Sequence, residues 1–149
     1  MIIIGYQGIG KSTLANSCLK YVDLESGCFW INGKRYNDWY IPYVQMAEHL
    51  SKQGYVVFVS SHEVVRNQLK LSKEKVICCV PDISLKDMWI EKLKLRYKES
   101  SLDKDYKAYM NALDRFTENI EEIVNSGFEV LSIKSINYGL KELIDGFCK

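Results

Sequence analysis

The sequence predicts an α/β domain in which a five-stranded parallel sheet is doubly wound, in three layers, with helices on both faces. Three observations carry this. Apolar runs at 2–4, 55–60, 76–80 and 128–133 are close to continuous, as in strands covered on both faces. Segments of helical apolar spacing separate them, the alternation that builds parallel sheets through right-handed crossovers. The first run also feeds Gly5-Tyr6-Gln7-Gly8-Ile9-Gly10-Lys11-Ser12, which fills the pattern G-x-x-x-x-G-K-[ST] between a strand and a helix.

With 149 residues, 47% of them apolar and 26% charged, the chain fits one domain spanning residues 1–149 and large enough for a real core. No apolar run approaches the ~20 residues that a membrane-spanning helix needs. Met1 leads straight into the first strand, so no signal or transit peptide is expected and the cytoplasm is the expected compartment. A net charge of +1 argues against nucleic acid as a bulk polyanionic partner. The five cysteines, Cys18, Cys28, Cys78, Cys79 and Cys148, include no C-x-x-C pair and are expected to be reduced, mostly buried thiols.

Taken in order, the β-branched Ile2, Ile3 and Ile4 suit the first strand. Leu14, Ala15, Cys18 and Leu19 then mark a helix that gives way near Lys20 to a short strand over 21–24. Residues 28–38 mix Phe29, Trp30, Lys34, Arg35 and Tyr36 too irregularly for a core element. A helix is predicted over about 39–53, with Tyr43, Ala47 and Leu50 on one face and Gly54 as its stop. The strand over 55–60 passes into Ser61-His62-Glu63, which opens a helix through Leu71. Pro81-Asp82 stops the strand over 76–80. Ser84 with Asp87 resembles a capping box, after which Leu85, Met88, Trp89, Leu93 and Tyr97 share a helix face. A break at Ser100-Ser101 separates this helix from a long amphipathic one over 103–125, closed by Ser126-Gly127. A strand over 128–133 and a helix over 139–147 complete the alternation.

The glycine-rich pattern is a phosphate-binding P-loop. Gly5, Gly8 and Gly10 let the backbone curl so that N–H groups along the loop, from Ile9 into the first helical turn, point at phosphate oxygens. Lys11 is assigned to the β- and γ-phosphates, Ser12 to Mg²⁺ and Thr13 to the α-phosphate. Ligands of open parallel sheets sit beyond the carboxyl ends of the strands, which selects Asp23, Glu25, Ser60, Ser61, His62, Pro81 and Asp82. Asp23 is the best-placed carboxylate, either to orient an acceptor hydroxyl or to hold Mg²⁺ through water; capping a turn with Ser26 is its structural alternative. Glu25 and Arg66 are further acceptor candidates, Arg66 for a phosphate or carboxylate. His62 either faces the site or closes a helix N-terminus, and His49 reads as structural. Phe29, Trp30, Trp39, Tyr40 and Tyr43 read mostly as packing, with one of them, Trp30, set against the ligand.

The strand over 55–60 ends in Ser60-Ser61-His62, where motor and transporter ATPases carry an Asp for Mg²⁺, and no N-K-x-D guanine signature occurs. The order of parts instead resembles the small P-loop kinase family, which includes nucleoside monophosphate, shikimate and gluconate kinases. Asp23-Leu24-Glu25 resembles the acidic strand end of that family, residues 28–54 its acceptor-binding insert, and residues 58–69 its core strand and arginine-bearing helix. Residues 96–115, with Arg96 and Arg115, look like its lid. The resemblance implies ATP as phosphoryl donor, Mg²⁺ as cofactor, and Lys11, Asp23, Arg96 and Arg115 in catalysis. It implies a small-molecule acceptor, a nucleoside or nucleotide ahead of other metabolites, held by Asp23, Glu25, Arg66 and Trp30. Two other readings stay open: a kinase of nucleic-acid termini or modified bases, and a nucleotide-binding regulatory module without fast turnover.

Overall fold

The structure, a computed structural model, describes residues 1–137 and 139–145, the side chains of Cys28 and Trp30 excepted. Strand β1 (Ile2–Gly5) leads through the glycine-rich loop to α1 (Lys11–Ser17) and β2 (Tyr21–Asp23). A 3₁₀ turn over Ser26–Phe29 precedes a hairpin of β3 (Trp30–Ile31) and β4 (Lys34–Arg35). Then come α2 (Tyr40–Lys52), β5 (Val56–Val59), α3 (Glu63–Leu69), β6 (Val76–Pro81), α4 (Lys86–Ser100), α5 (Asp103–Val124), β7 (Glu129–Ile133) and α6 (Leu140–Asp145).

Five strands form one sheet in the order β2-β5-β1-β6-β7, and every neighbouring pair is parallel. The β-branched runs take the centre: β1 and β5 are buried at every position, with Ile3 registered between Phe58 and Ile77. The chain moves one way along the sheet from β1 to β2 and the other way from β2 through β5 and β6 to β7. Right-handed crossovers therefore put α1 on one face and α2, α3 and the α4–α5 pair on the other. Packing of α6 against α1, and of α2 against α3, completes the two helical layers. The direction reverses at β1, so a crevice opens beyond its carboxyl end, beneath the loop.

Several expectations need correction. Helix α1 stops at Ser17, with Cys18 extended, and Leu19 is 95% exposed. The segment holds Ser12, Thr13, Asn16 and Ser17, all weak helix formers, and only Leu14 is buried, so little sustains a longer helix. Cys18 is exposed accordingly, whereas Cys78 and Cys79 are buried in β6. The stretch expected to be irregular contains the β3–β4 hairpin, turned by Asn32 (φ 50°) and Gly33 (φ 75°). Two successive positive φ values are what a type I′ two-residue hairpin turn requires. Within residues 28–54, α2 is the crossover between β2 and β5, with Tyr43, Val44 and Ala47 buried. Ser84 does not cap α4; its backbone N–H and its hydroxyl both donate to Asp82, at 3.0 and 2.7 Å, and Lys134 pairs with the same carboxylate at 2.7 Å. The final helix is described to Asp145, and residues 146 and 147 of the expected span lie outside the described residues. Among the described residues no helix is long and apolar enough to cross a membrane.

Candidate functional site

The loop between β1 and α1 is shaped by close approach. A Cβ on Gly5 would stand 2.6 Å from Ile9 Cδ1 and 2.8 Å from Lys11 Cδ, so a larger residue there would push aside the Ile9 and Lys11 side chains. Gly8 (φ 82°) and Gly10 (φ 99°) hold left-handed backbone. Helix α1 starts at Gly10 without a side-chain cap, and its first backbone bond runs from Leu14 N–H to Gly10 O at 3.0 Å. The amides of Lys11, Ser12 and Thr13 precede that bond and are the ones a helix start leaves unpaired.

Behind the loop, Lys11 Nζ donates to Gly5 O at 2.9 Å and to Tyr6 O at 3.4 Å. Burial holds this ammonium below the ordinary lysine pKa, while Asp23 and Glu25 act in the opposite direction. Ser12 Oγ donates to Asp23 Oδ2 at 2.6 Å, so the start of α1 and the end of β2 are joined at the mouth of the site.

A polar network lies beside this pair. His62 closes the start of α3, and its Nε2 is 3.1 Å from Arg35 Nη1 while its Nδ1 is 2.9 Å from Ser60 Oγ. A guanidinium only donates, so Nε2 accepts and Nδ1–H donates to Ser60. Burial, then Arg35, Arg66 and Lys11, push the imidazole pKa down to about 4. Arg35 Nη2 donates to Ser26 Oγ at 2.7 Å, and its guanidinium lies 4.4 Å over the Trp39 ring. Tyr43 fixes the strand tips: its hydroxyl donates to Leu24 O at 2.7 Å and accepts from Ser60 N–H at 2.9 Å. Burial raises this phenol to about 12, so it stays protonated.

A cleft of about 970 Å³ opens over the loop. It is lined by Gly8, Gly10, Lys11, Ser12, Thr13, Asp23, Glu25 and Arg96, so most of the residues expected in a site converge there. A smaller cavity of about 280 Å³ adjoins it and shares Lys11, Ser60 and His62; Gly5 and Arg66 line this one. Arg66 is buried, and its Nη1 donates to Ser61 O. Ile9 is buried and lines neither space; its N–H reaches Tyr6 O at 3.4 Å. Arg115 also lines neither: it is half-exposed at a kink in α5 and pairs with Glu122 at 2.8 Å. Asp82 and Pro81 lie apart from both spaces, Asp82 in its pair with Lys134. The Trp30 side chain, expected against the ligand, lies outside the described residues. Phe29, Trp39 and Tyr43 are buried and pack on one another, with ring centroids 5.5 Å apart for Trp39 and Tyr43.

Helices α4 and α5 wall the cleft on its far side. Arg96 Nε stands 2.8 Å from Asp105 Oδ1, and the nearly buried Asp105 also accepts from Ser100 Oγ at 2.5 Å. Lys92 and Arg35, which the sequence reading passed over, both line the cleft. The signal for Lys92 was its spacing, one helical turn before Arg96 and three residues after Trp89. Arg35 is the second residue after the Asn32-Gly33 turn, paired with Trp30 across the hairpin.

No protein-family model matches the chain, and no curated protein matches it.

Proposed function

We propose that the chain is an ATP- and Mg²⁺-dependent phosphotransferase of the small P-loop kinase type, moving the γ-phosphoryl of ATP to a small acceptor, a nucleoside or nucleotide first. The observation that carries this reading is the Ser12–Asp23 contact at 2.6 Å, set at the loop mouth in front of Lys11. A hydroxyl, one carboxylate and phosphate oxygens are the hard donors that Mg²⁺ takes, with water filling the rest. Ser12 and Asp23 would hold such an ion side by side. The metal, when bound, neutralises charge on the moving phosphoryl group.

The remaining roles belong to the chain. Phosphoryl transfer asks for positioning and charge neutralisation more than for covalent chemistry. Lys11 has to exchange its carbonyl partners for phosphate oxygens, and its ammonium is already desolvated for a strong contact. Arg96 faces the same cleft and covers the phosphates from α4. On the acceptor side stand Asp23, Glu25, Arg35 and the neutral His62. The test is an acceptor screen with labelled ATP and Mg²⁺ across nucleosides, nucleotides, sugars and oligonucleotides, run beside Lys11→Ala. Transfer by the wild type and none by the variant is expected; ATP binding with every acceptor unlabelled would remove the kinase reading and favour a regulatory module.

A further inference from the structure

Two carbonyls of the glycine-rich loop are held from outside, by one face of α4. Trp89, 1% exposed, donates its indole Nε1–H to Gln7 O at 2.9 Å. Lys92 Nζ donates to Gly8 O at 2.7 Å and lies 4.4 Å from the Trp89 ring centroid, so the ring also steadies the ammonium. Between these anchors the helix presses directly on the loop: a Cβ on Gly8 would stand 2.9 Å from Leu93 Cδ2 and 3.2 Å from Trp89 Nε1. From α5, the Ala108 carbonyl accepts from Gln7 Nε2 at 3.0 Å, which ties the same stretch a third time.

The consequence follows from peptide geometry. In a trans peptide the C=O and N–H point in opposite directions, so fixing Gln7 O toward α4 turns the Gly8 N–H away from it. Among the described residues no backbone acceptor takes that N–H, and Gly8 lines the cleft. A loop with glycines at Gly5, Gly8 and Gly10 is otherwise costly to order, because glycine loses more freedom than any other residue. We propose that Trp89 and Lys92 are positioning residues that hold the Gln7–Gly8 and Gly8–Ile9 peptides by their carbonyls, so that the loop meets a polyphosphate already ordered. The inference rests on the nucleotide-binding reading and adds to it residues that need not touch the ligand.

Trp89→Phe keeps an aromatic ring at this buried position and removes the N–H donor together with the pyrrole half of the indole, so its thermal unfolding is measured beside its binding. Lys92→Met keeps most of the length of an exposed side chain and removes its charge and its N–H donor. Two quantities are measured on the full chain: the Kd for Mg·ATP by calorimetry, and the ¹⁵N order parameters of the Gly8 and Gly10 amides without ligand. Each variant should bind Mg·ATP roughly 5–10-fold more weakly, the worth of one hydrogen bond. In each, the loop amides should fall from rigid values near ~0.85 toward ~0.6. A wild type that binds Mg·ATP, with both variants binding equally well, overturns the inference and leaves the nucleotide reading standing. Weaker binding with order parameters unchanged in both variants also overturns it, because the residues then act by contact and not through the loop. A wild type that binds no Mg·ATP overturns the nucleotide reading and this inference with it.

Discussion

Replacing Tyr43 with Phe removes one oxygen and leaves two backbone groups without their partner. The hydroxyl donates to Leu24 O at 2.7 Å and accepts from Ser60 N–H at 2.9 Å, joining the ends of β2 and β5 beside Glu25 and His62. The ring itself is fully buried against Phe29 and Trp39 and should stay in place. Each hydrogen bond contributes about 1 kcal/mol net, and a buried group left unpaired costs about 1–3 kcal/mol. Leu24 and Ser60 are half-buried, so water can partly replace the hydroxyl, which brings the expected loss to about 2 kcal/mol. For a domain of this size that corresponds to a fall in Tm of about 6 °C. Thermal unfolding of wild type and Tyr43→Phe measures it directly. Because the strand tips and not the loop are loosened, acceptor KM should rise several-fold while ATP affinity stays within about twofold. A Tm shift below about 1.5 °C would refute the bridge, and an equal loss of ATP affinity would refute the division of the cleft into two sides.

Asp23→Asn keeps the Ser12 contact possible but removes the anionic ligand; the Mg²⁺ concentration for half-maximal turnover should rise roughly 10–100-fold, read by metal titration at saturating ATP. Arg96 and Arg115 should separate. Arg115→Met should change stability by less than about 0.5 kcal/mol and leave turnover intact, since its pair with Glu122 is exposed. Arg96→Met should lower turnover and also cost about 1–2 kcal/mol in denaturant unfolding, because the nearly buried Asp105 then keeps only Ser100. His62, followed by NMR, should titrate near about 4, and Arg35→Met should raise that midpoint yet keep it below the ordinary 6.5, since burial is the larger cause. Between about 4 and 6.5 the unfolded chain carries the extra proton, so the contribution of His62 to stability is present above 6.5 and is lost as pH falls through that window.

The parts legible in the sequence were those written in short, dense patterns. The buried strands announced themselves through unbroken β-branched runs, and the loop through glycines whose spacing only a tight fold-back explains. What escaped depends on tertiary context. The Asn32-Gly33 turn was passed over because each flanking strand is two residues long, too short for alternation to register. Arg115 falls on the periodic series of Lys104, Ala108 and Asn111, all of which line the cleft, but its own backbone (φ −139°, ψ 27°) departs from helix geometry. That kink is not encoded by a proline or a glycine nearby, and the arginine ends beside Glu122. Lys92 meets a loop carbonyl 84 residues away in the chain, a contact that no local pattern encodes.

The β3–β4 hairpin makes a two-stranded sheet of its own and shares no strand pairing with the main one. Its attachments to the core include one side chain, Arg35, which meets Ser26, His62 and Trp39. A ribbon of that size has little stability alone. It is therefore a cassette: its turn residues can be exchanged, lengthened or shortened in the course of divergence without disturbing β1, β5 or β6. Changes there would reshape the edge of the cleft that Arg35 lines at the smallest cost to the sheet, so long as Arg35 keeps its contacts.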